Sequence, residues 1–245
     1  MQPADPSLLR DASCVRLVSL HLDVLEAELD LLDAQERARA VRFATPQLQR
    51  RFIAAHTGLR RVLGWAADVA PEALAFESDA LGKPALAGVD GLHFSLSHCG
   101  GQALVALAPA PVGVDIEALI QRDADLLASQ ILTPAELGRW RLLGLHHRPE
   151  ALTEAWTWKE ALLKACGLGL RVDPATLTAA PGEVQLPGAA RFRLDPVPAA
   201  PGHCAALAQS LPARPLRRFR LLPESQLQSL GLHPSSPQPG PDWAA

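Results

Sequence analysis

The stretch "PVGVDIEAL", Pro111 to Leu119, sets two carboxylates, Asp115 and Glu117, into an otherwise apolar, β-prone run. Residues two apart on a strand share a face, so both carboxylates point one way while Val114 and Ile116 point the other, toward a core. Two carboxylates that close repel unless a cation sits between them. The alternative is a strand end dipping into water, where both are simply solvated. The pair alone leaves both readings open.

A second segment, "AWTWKEALLKACG" from Ala155 to Gly167, bears on that choice. On a helix Trp156, Glu160 and Lys164 fall at i, i+4 and i+8, on one face. Glu160 ahead of Lys164 is also the favoured order for a surface ion pair, worth about 0.2–0.5 kcal/mol. Such a pair does not account for Trp156 and Trp158 on either side of Thr157 in a chain with 4% aromatic residues. A third carboxylate able to reach Asp115 and Glu117 would complete an all-oxygen site. That chemistry suits magnesium, which fills the rest of its shell with water and substrate phosphate. No histidine cluster or cysteine pair argues for zinc or iron. A phosphate-bearing ligand needs counter-charge and donors, which Lys83 in a Gly-Pro turn, Ser97, His98 and the Gly100–Gly101 turn can offer.

Composition sets the bounds. With 245 residues the chain is one large domain or two small ones, long enough to bury a core. Charged residues at 20% and hydrophobic ones at 48% describe an ordinary soluble globular protein. A net charge of −3 gives no global field for nucleic acid or anionic lipid, so any polyanion site must be local. No apolar run reaches the roughly 18 residues a membrane span needs. The N-terminal "MQPADPSLLRDAS" lacks the basic flank and apolar centre of a signal peptide. Cys14, Cys99, Cys166 and Cys204 show no CxxC spacing and read as reduced thiols, so the expected location is cytoplasmic.

Along the chain, "CVRLVSLHL" reads as a first strand. A helical pattern runs from Asp33 to Ala67, with Thr45 as N-cap, Pro46 first in the helix, and Leu48, Phe52, Ala55, Leu59 and Val62 as its apolar stripe. Arg42, Arg50, Arg51, Arg60 and Arg61 load this region with positive charge, read mainly as a solvated face. "LGKPAL" is a turn, and "LHFSLSHCGGQALVALAPAPVGVDIE" a three-stranded meander. Thr133 and Glu136 form a capping box, and a longer helix from Pro149 to Cys166 stops at Gly167. "EVQL", "RFRL", "CAALAQS" and "RRFRLL" are short strand candidates, and the Pro- and Ser-rich 223–245 reads as a loose tail. Helix then strands recurs in each half. The expectation is an α/β (α+β) fold of two pseudo-symmetric halves, 1–111 and 112–222, each a small antiparallel sheet packed with a long helix.

"GKP", "HFSLSH", "VGVDIE" and "WTWKEALLK", in this order and at these intervals, resemble the motifs of the 4′-phosphopantetheinyl transferases. The resemblance is to the large monomeric type that activates peptide, polyketide and fatty-acid synthases. It covers about Asp33 to Leu222. It implies transfer of the phosphopantetheine arm of coenzyme A to a serine of an apo acyl or peptidyl carrier protein, with release of 3′,5′-ADP. Magnesium is the implied metal, with manganese as a substitute. Asp115 and Glu160 match its carboxylate ligands, and Glu117 matches a third acidic position that is a ligand in some members. Glu160 also matches the general base. Lys164 matches the lysine that faces the pyrophosphate. Lys83, Ser97 and His98 match positions gripping the nucleotide phosphates, and Arg51 falls roughly where the family keeps an N-terminal basic residue. Ser95 replaces a frequent Asn and Cys99 a frequent Ser or Thr, which implies slightly altered nucleotide contacts. The competing expectations are a non-catalytic paralogue that binds coenzyme A or carrier protein, and a magnesium-dependent pyrophosphatase.

Overall fold

The computed structural model describes residues 1–229 apart from 80 and 187–189. In chain order the elements are β1 (Gln2–Pro3), α1 (Pro6–Leu9), β2 (Val15–His21), α2 (Ala34–Ala40), α3 (Pro46–Ala67), β3 (Phe76–Ser78), β4 (Pro84–Leu86), β5 (His93–Cys99) and β6 (Gln102–Ala108). Then come β7 (Val112–Ala118), α4 (Ala124–Ile131), α5 (Pro134–Arg141), α6 (Arg148–Cys166), β8 (Gly182–Gln185), β9 (Arg191–Pro196), β10 (His203–Ser210), β11 (Leu216–Arg220) and α7 (Glu224–Ser229).

The two halves repeat one topology. In the first, β2 pairs antiparallel with β6 and β6 with β5; in the second, β7 pairs antiparallel with β10 and β10 with β9. In each case the long helix follows the first strand of its set. Three apolar layers hold the stack together. Phe52, Ala55, Leu59 and Leu63 belong to α3; Ala55, Leu59 and Leu63 pack with Val18, Phe94 and Val105 of the first sheet, while Phe52 closes a separate cluster with Leu32 and Ala40. Leu17, Leu104 and Ala106 on the sheet's other face meet Val114, Ile116 and Leu207 of the second sheet. Beyond that, Phe192, Leu194 and Ala206 pack under Leu162 and Leu163 of α6. Each fully buried leucine or phenylalanine in these layers contributes about 1.5–3 kcal/mol of burial free energy.

Local signals start and stop the helices. Thr45 Oγ1 accepts from the Leu48 amide and Pro46 opens α3. Thr133 and Glu136 make the reciprocal capping box of α5. Gly167, at φ 73°, ends α6 in the left-handed conformation that a side chain disfavours.

Five expectations need correction. The meander breaks after its second strand: β7 leaves β6 and pairs with β10 in the second sheet. The strand in "RRFRLL" does not belong to the second half: β11 lies between β1 and β2 in the first sheet, parallel to both, so that sheet is mixed. Leu48 is 46% exposed, because it sits in the first turn of α3, before the helix reaches the sheet. Arg60 is not solvated but 1% exposed; it lies eight residues after Phe52, in the inward phase of the helix. Its guanidinium bonds Glu36, Asp33 and the carbonyls of Pro71 and Leu74. Of the tail, residues Glu224–Ser229 form α7, and 230–245 lie outside the described residues.

Candidate active site

The face of β7 that carries Gly113, Asp115 and Glu117 is turned to α6. A Cβ on Gly113 would come within 2.1 Å of the Ala161 carbonyl oxygen and 2.4 Å of the Ala165 nitrogen. The missing side chain lets helix backbone rest on strand backbone, which brings the next residues on that face level with Lys164 and Glu160.

Asp115 is 1% exposed. Its Oδ1 accepts from Lys164 Nζ at 2.6 Å and from Ser97 Oγ at 2.8 Å. Ser97 Oγ in turn accepts from Lys164 Nζ at 3.0 Å and from the Ile116 amide at 3.4 Å. A hydroxyl has one proton and two lone pairs, and all three are engaged. Asp115 Oδ2 and Glu160 Oε1 are buried with no hydrogen-bond partner. Burial raises the pKa of Glu117, with Asp115 adding to the rise; Lys164, Trp156 and Cys99 oppose it. Burial also raises Glu160, opposed by Lys164 and reinforced by Asp115.

Among the described residues, no group of three or more His, Cys, Asp or Glu side chains is drawn together at ligating distance. The ammonium of Lys164 neutralises Asp115 instead. The donor set nevertheless fits a hard cation: the two orphaned oxygens belong to carboxylates, and Glu117 lies in the same field of negative charge.

In front of these groups opens a cleft of about 830 Å³ lined from both halves. Glu117 and Lys164 come from the second half, and Lys83, Ser97 and His98 from the first. Partial desolvation, with the positive fields of His56, Lys164 and Arg39, lowers the His98 pKa. Lys83 Nζ donates to the carbonyls of Val112 at 3.0 Å and Ala165 at 3.1 Å, tying the β3–β4 hairpin to the start of β7 and the end of α6. Burial brings its pKa down to about 8.

Arg51 is placed elsewhere. It forms a two-pronged bridge to Asp23 at 2.7 and 2.8 Å and is not among the residues lining the cleft. The basic groups that line it from α2 and α3 are Arg39 and His56. His56 Nδ1 lies 2.7 Å from Glu36 Oε1. Burial works against the Glu36 charge, but hydrogen bonds from His56, the Asp33 amide and Arg60 outweigh it and lower its pKa. The only sequence signal for His56 was its place four residues after Phe52, in the inward phase of α3.

Two further residues have roles that their motifs did not suggest. Lys159, inside "WTWKEALLK", is completely buried and donates to Ile131 O, Glu136 Oε2 and Pro174 O, at 2.6, 2.7 and 3.0 Å. All three of its protons are used structurally, so α6 is riveted to α4 and α5. Ser95 and Cys99, on the same face of β5 as Ser97, meet the backbone of β7, at 3.1 Å from the Val114 nitrogen and 3.3 Å from that of Ala118.

Comparison with known proteins agrees with this geometry. The 4′-phosphopantetheinyl transferase superfamily matches residues 111–207, from the start of β7 to the middle of β10. The 4′-phosphopantetheinyl transferase HetI of Nostoc sp. is 35% identical over 199 residues, covering 73% of this chain and 84% of that protein. The 4′-phosphopantetheinyl transferase psf-1 of Bacillus pumilus is 31% identical over 146 residues, 59% of this chain and 62% of the relative. Enterobactin synthase component D of Escherichia coli K12 is 42% identical over a shorter 72 residues, 29% of this chain and 34% of the relative. With its two-half fold, its carboxylate–lysine cluster and a relative matched over most of its length, the chain belongs to the 4′-phosphopantetheinyl transferase superfamily and is an enzyme of that kind.

Proposed function

We propose that the protein transfers the 4′-phosphopantetheine arm of coenzyme A to a serine hydroxyl of an apo acyl or peptidyl carrier protein, releasing 3′,5′-ADP with magnesium present. The observation that carries this reading is the bonded set Ser97–Asp115–Lys164 beside two orphaned carboxylate oxygens, at a cleft lined from both halves.

Asp115 Oδ2 and Glu160 Oε1 would hold the metal, with Glu117 beside them as a further oxygen donor. A bound divalent cation supplies charge neutralisation on the pyrophosphate. The chain's own groups do the rest. Lys83, Ser97 and His98 grip the nucleotide phosphates. Lys164, whose side chain is 29% exposed, presents its ammonium to the bridging region, where negative charge grows as the phosphorus–oxygen bond breaks. The serine oxygen forms the new bond to phosphorus, and the electron pair of the broken bond leaves with 3′,5′-ADP. A serine hydroxyl is a weak nucleophile at neutral pH, so its proton passes to a base. Glu160 takes that role, its affinity for a proton raised by burial.

Exposed Leu142, Leu143 and Leu145 with Arg141 and Arg148, at the N-terminal end of α6, suit an acidic helical carrier that docks by apolar contacts and a few arginines. Four free cysteines suit a reducing, cytoplasmic setting. The cleft is built from one chain, as a monomeric enzyme requires.

The test is intact mass of several apo-carriers after incubation with the protein, coenzyme A and magnesium. A mass gain of one phosphopantetheine, lost in Asp115→Ala and on chelation of the metal, is the expected result. Carriers that all stay apo would overturn the reading. If they bind saturably, the protein is a binding paralogue; if coenzyme A is cleaved without any carrier, it is a pyrophosphatase.

A further inference from the structure

Among the described residues, the edge of β7 that faces β5 has no backbone partner. Its other edge is paired residue by residue with β10, and β5 has spent one edge on β6. What meets it is a row of side chains from the first half. Lys83 Nζ donates to Val112 O, Ser95 Oγ accepts from the Val114 amide, Ser97 Oγ from the Ile116 amide, and Cys99 Sγ from the Ala118 amide. Every second residue of β7 is held, and alternate residues of β5 supply three of the four rungs. The rungs bracket the chemistry: Asp115 lies between the second and third, Glu117 between the third and fourth.

From this row, and on the transferase reading above, we infer that Ser95 and Cys99 are positioning residues. They set the register of the acidic strand against the phosphate-gripping strand. Ser97 touches Asp115 and Lys164 directly, so its loss would remove a site contact; Ser95 and Cys99 touch neither. Ser95 acts through the backbone of β7 alone, whereas Cys99 also lies against the Glu117 carboxylate. Side-chain rungs tolerate sliding that a backbone ladder would forbid, so losing an outer one lets Asp115 and Glu117 shift against Ser97 and His98. A misplacement of about 1 Å is enough to cost on the order of 100-fold in rate. Nucleotide grip would change little, because Lys83, Ser97 and His98 stay on the first half.

The experiment is steady-state kinetics of carrier modification for Cys99→Ala, Cys99→Ser, Ser95→Ala and Thr57→Val, each with a thermal melt. Ser95→Ala is the main variant, since Ser95 Oγ meets the backbone of β7 and neither Asp115 nor Lys164, and Cys99→Ala removes the rung at the exposed rim. Cys99→Ala and Ser95→Ala should lower kcat about tenfold or more, with KM for coenzyme A within about threefold of wild type. Cys99→Ser keeps an acceptor and should restore kcat to within about threefold. Thr57→Val removes a side-chain oxygen that likewise accepts a backbone amide, that of Glu28, away from the row. It should lower the melting temperature and leave kcat unchanged. A Ser95→Ala enzyme that melts normally and keeps wild-type kcat would overturn the inference, as would equal loss of kcat in Cys99→Ser and Cys99→Ala. Wild type run alongside separates the two readings: if it modifies no carrier, the transferase proposal fails, not the role of the rungs.

Discussion

Lys164 Nζ lies 2.6 Å from Asp115 Oδ1, an ammonium from a helix in the second half resting on a carboxylate that is 1% exposed. Ser97 of the first half bonds both. Charge balance of the site therefore depends on one lysine. Removing one partner of a buried pair typically costs about 3–5 kcal/mol because the other charge is left uncompensated. Lysine's partial exposure reduces this, so Lys164→Met is expected to lose about 2–3 kcal/mol in urea unfolding. Magnesium should restore more stability to this variant than to wild type, since it replaces the missing positive charge; equal shifts in both would contradict the assignment of Asp115 as a ligand.

Glu160→Gln separates stability from chemistry. One oxygen of its carboxylate is buried without a partner, and partial burial raises its pKa. A neutral amide is easier to bury than an unpaired charge. The variant is expected to melt at or above the wild-type temperature near neutral pH while losing about 100- to 10,000-fold in kcat, the usual share of a general base. Full activity in the variant would remove Glu160 from the reaction.

Gly113→Ala tests the contact between β7 and α6. The new Cβ would meet two backbone atoms that cannot rotate away. Overpacking usually costs about 1–3 kcal/mol, and a clash with fixed backbone belongs at or above the top of that range. The measurements are soluble yield and a denaturant midpoint; a midpoint near wild type would mean that α6 can lift off β7.

Lys83 gives a pH signature. Its folded pKa of about 8 stands below the ordinary 10.5, through burial. Below pH 8 the ammonium is present in both states, and the folded protein bears the full desolvation cost. Between about 8 and 10.5 the unfolded chain holds a proton that the native state has released, so this group makes stability rise with pH. The stability advantage of wild type over Lys83→Met is expected to grow across that window by about 1–2 kcal/mol. Cys166 and Cys204, pushed up to about 11 by burial, act with the opposite sign but are present in both proteins. A flat difference would mean that Lys83 is solvated.

The parts legible in the sequence were those with a local period or a local stop signal. "VGVDIE" alternated, "WTWKEALLK" repeated at four, and Thr45, Thr133 and Gly167 marked helix ends. Those signals suffice to set Asp115, Ser97 and Lys164 on facing elements. What escaped depends on partners distant in sequence. Nothing in "LRRFR" says that its strand will join Val15–His21, roughly two hundred residues earlier. Arg60 and Arg61 look alike, yet one turns into the core and the other meets Glu26, Glu28 and Glu224 at the surface. Ser95 and Cys99 looked like variants of a nucleotide motif because the identity of the strand beyond them is invisible to local reading.

The return of β11 to the first sheet has a practical corollary. The repeat of β2–β6–β5 in β7–β10–β9 invites division of the chain at the Pro109–Pro111 turn, but a piece ending there lacks β11, the strand that flanks β2 and pairs with β1. Expressed alone, the leading piece would bare the edge of β2 as a template for aggregation. The trailing piece would carry an orphan strand. Swapping halves between relatives to alter carrier choice should therefore keep Leu216–Arg220 with the leading half, so that the natural unit of exchange is two separate stretches of chain.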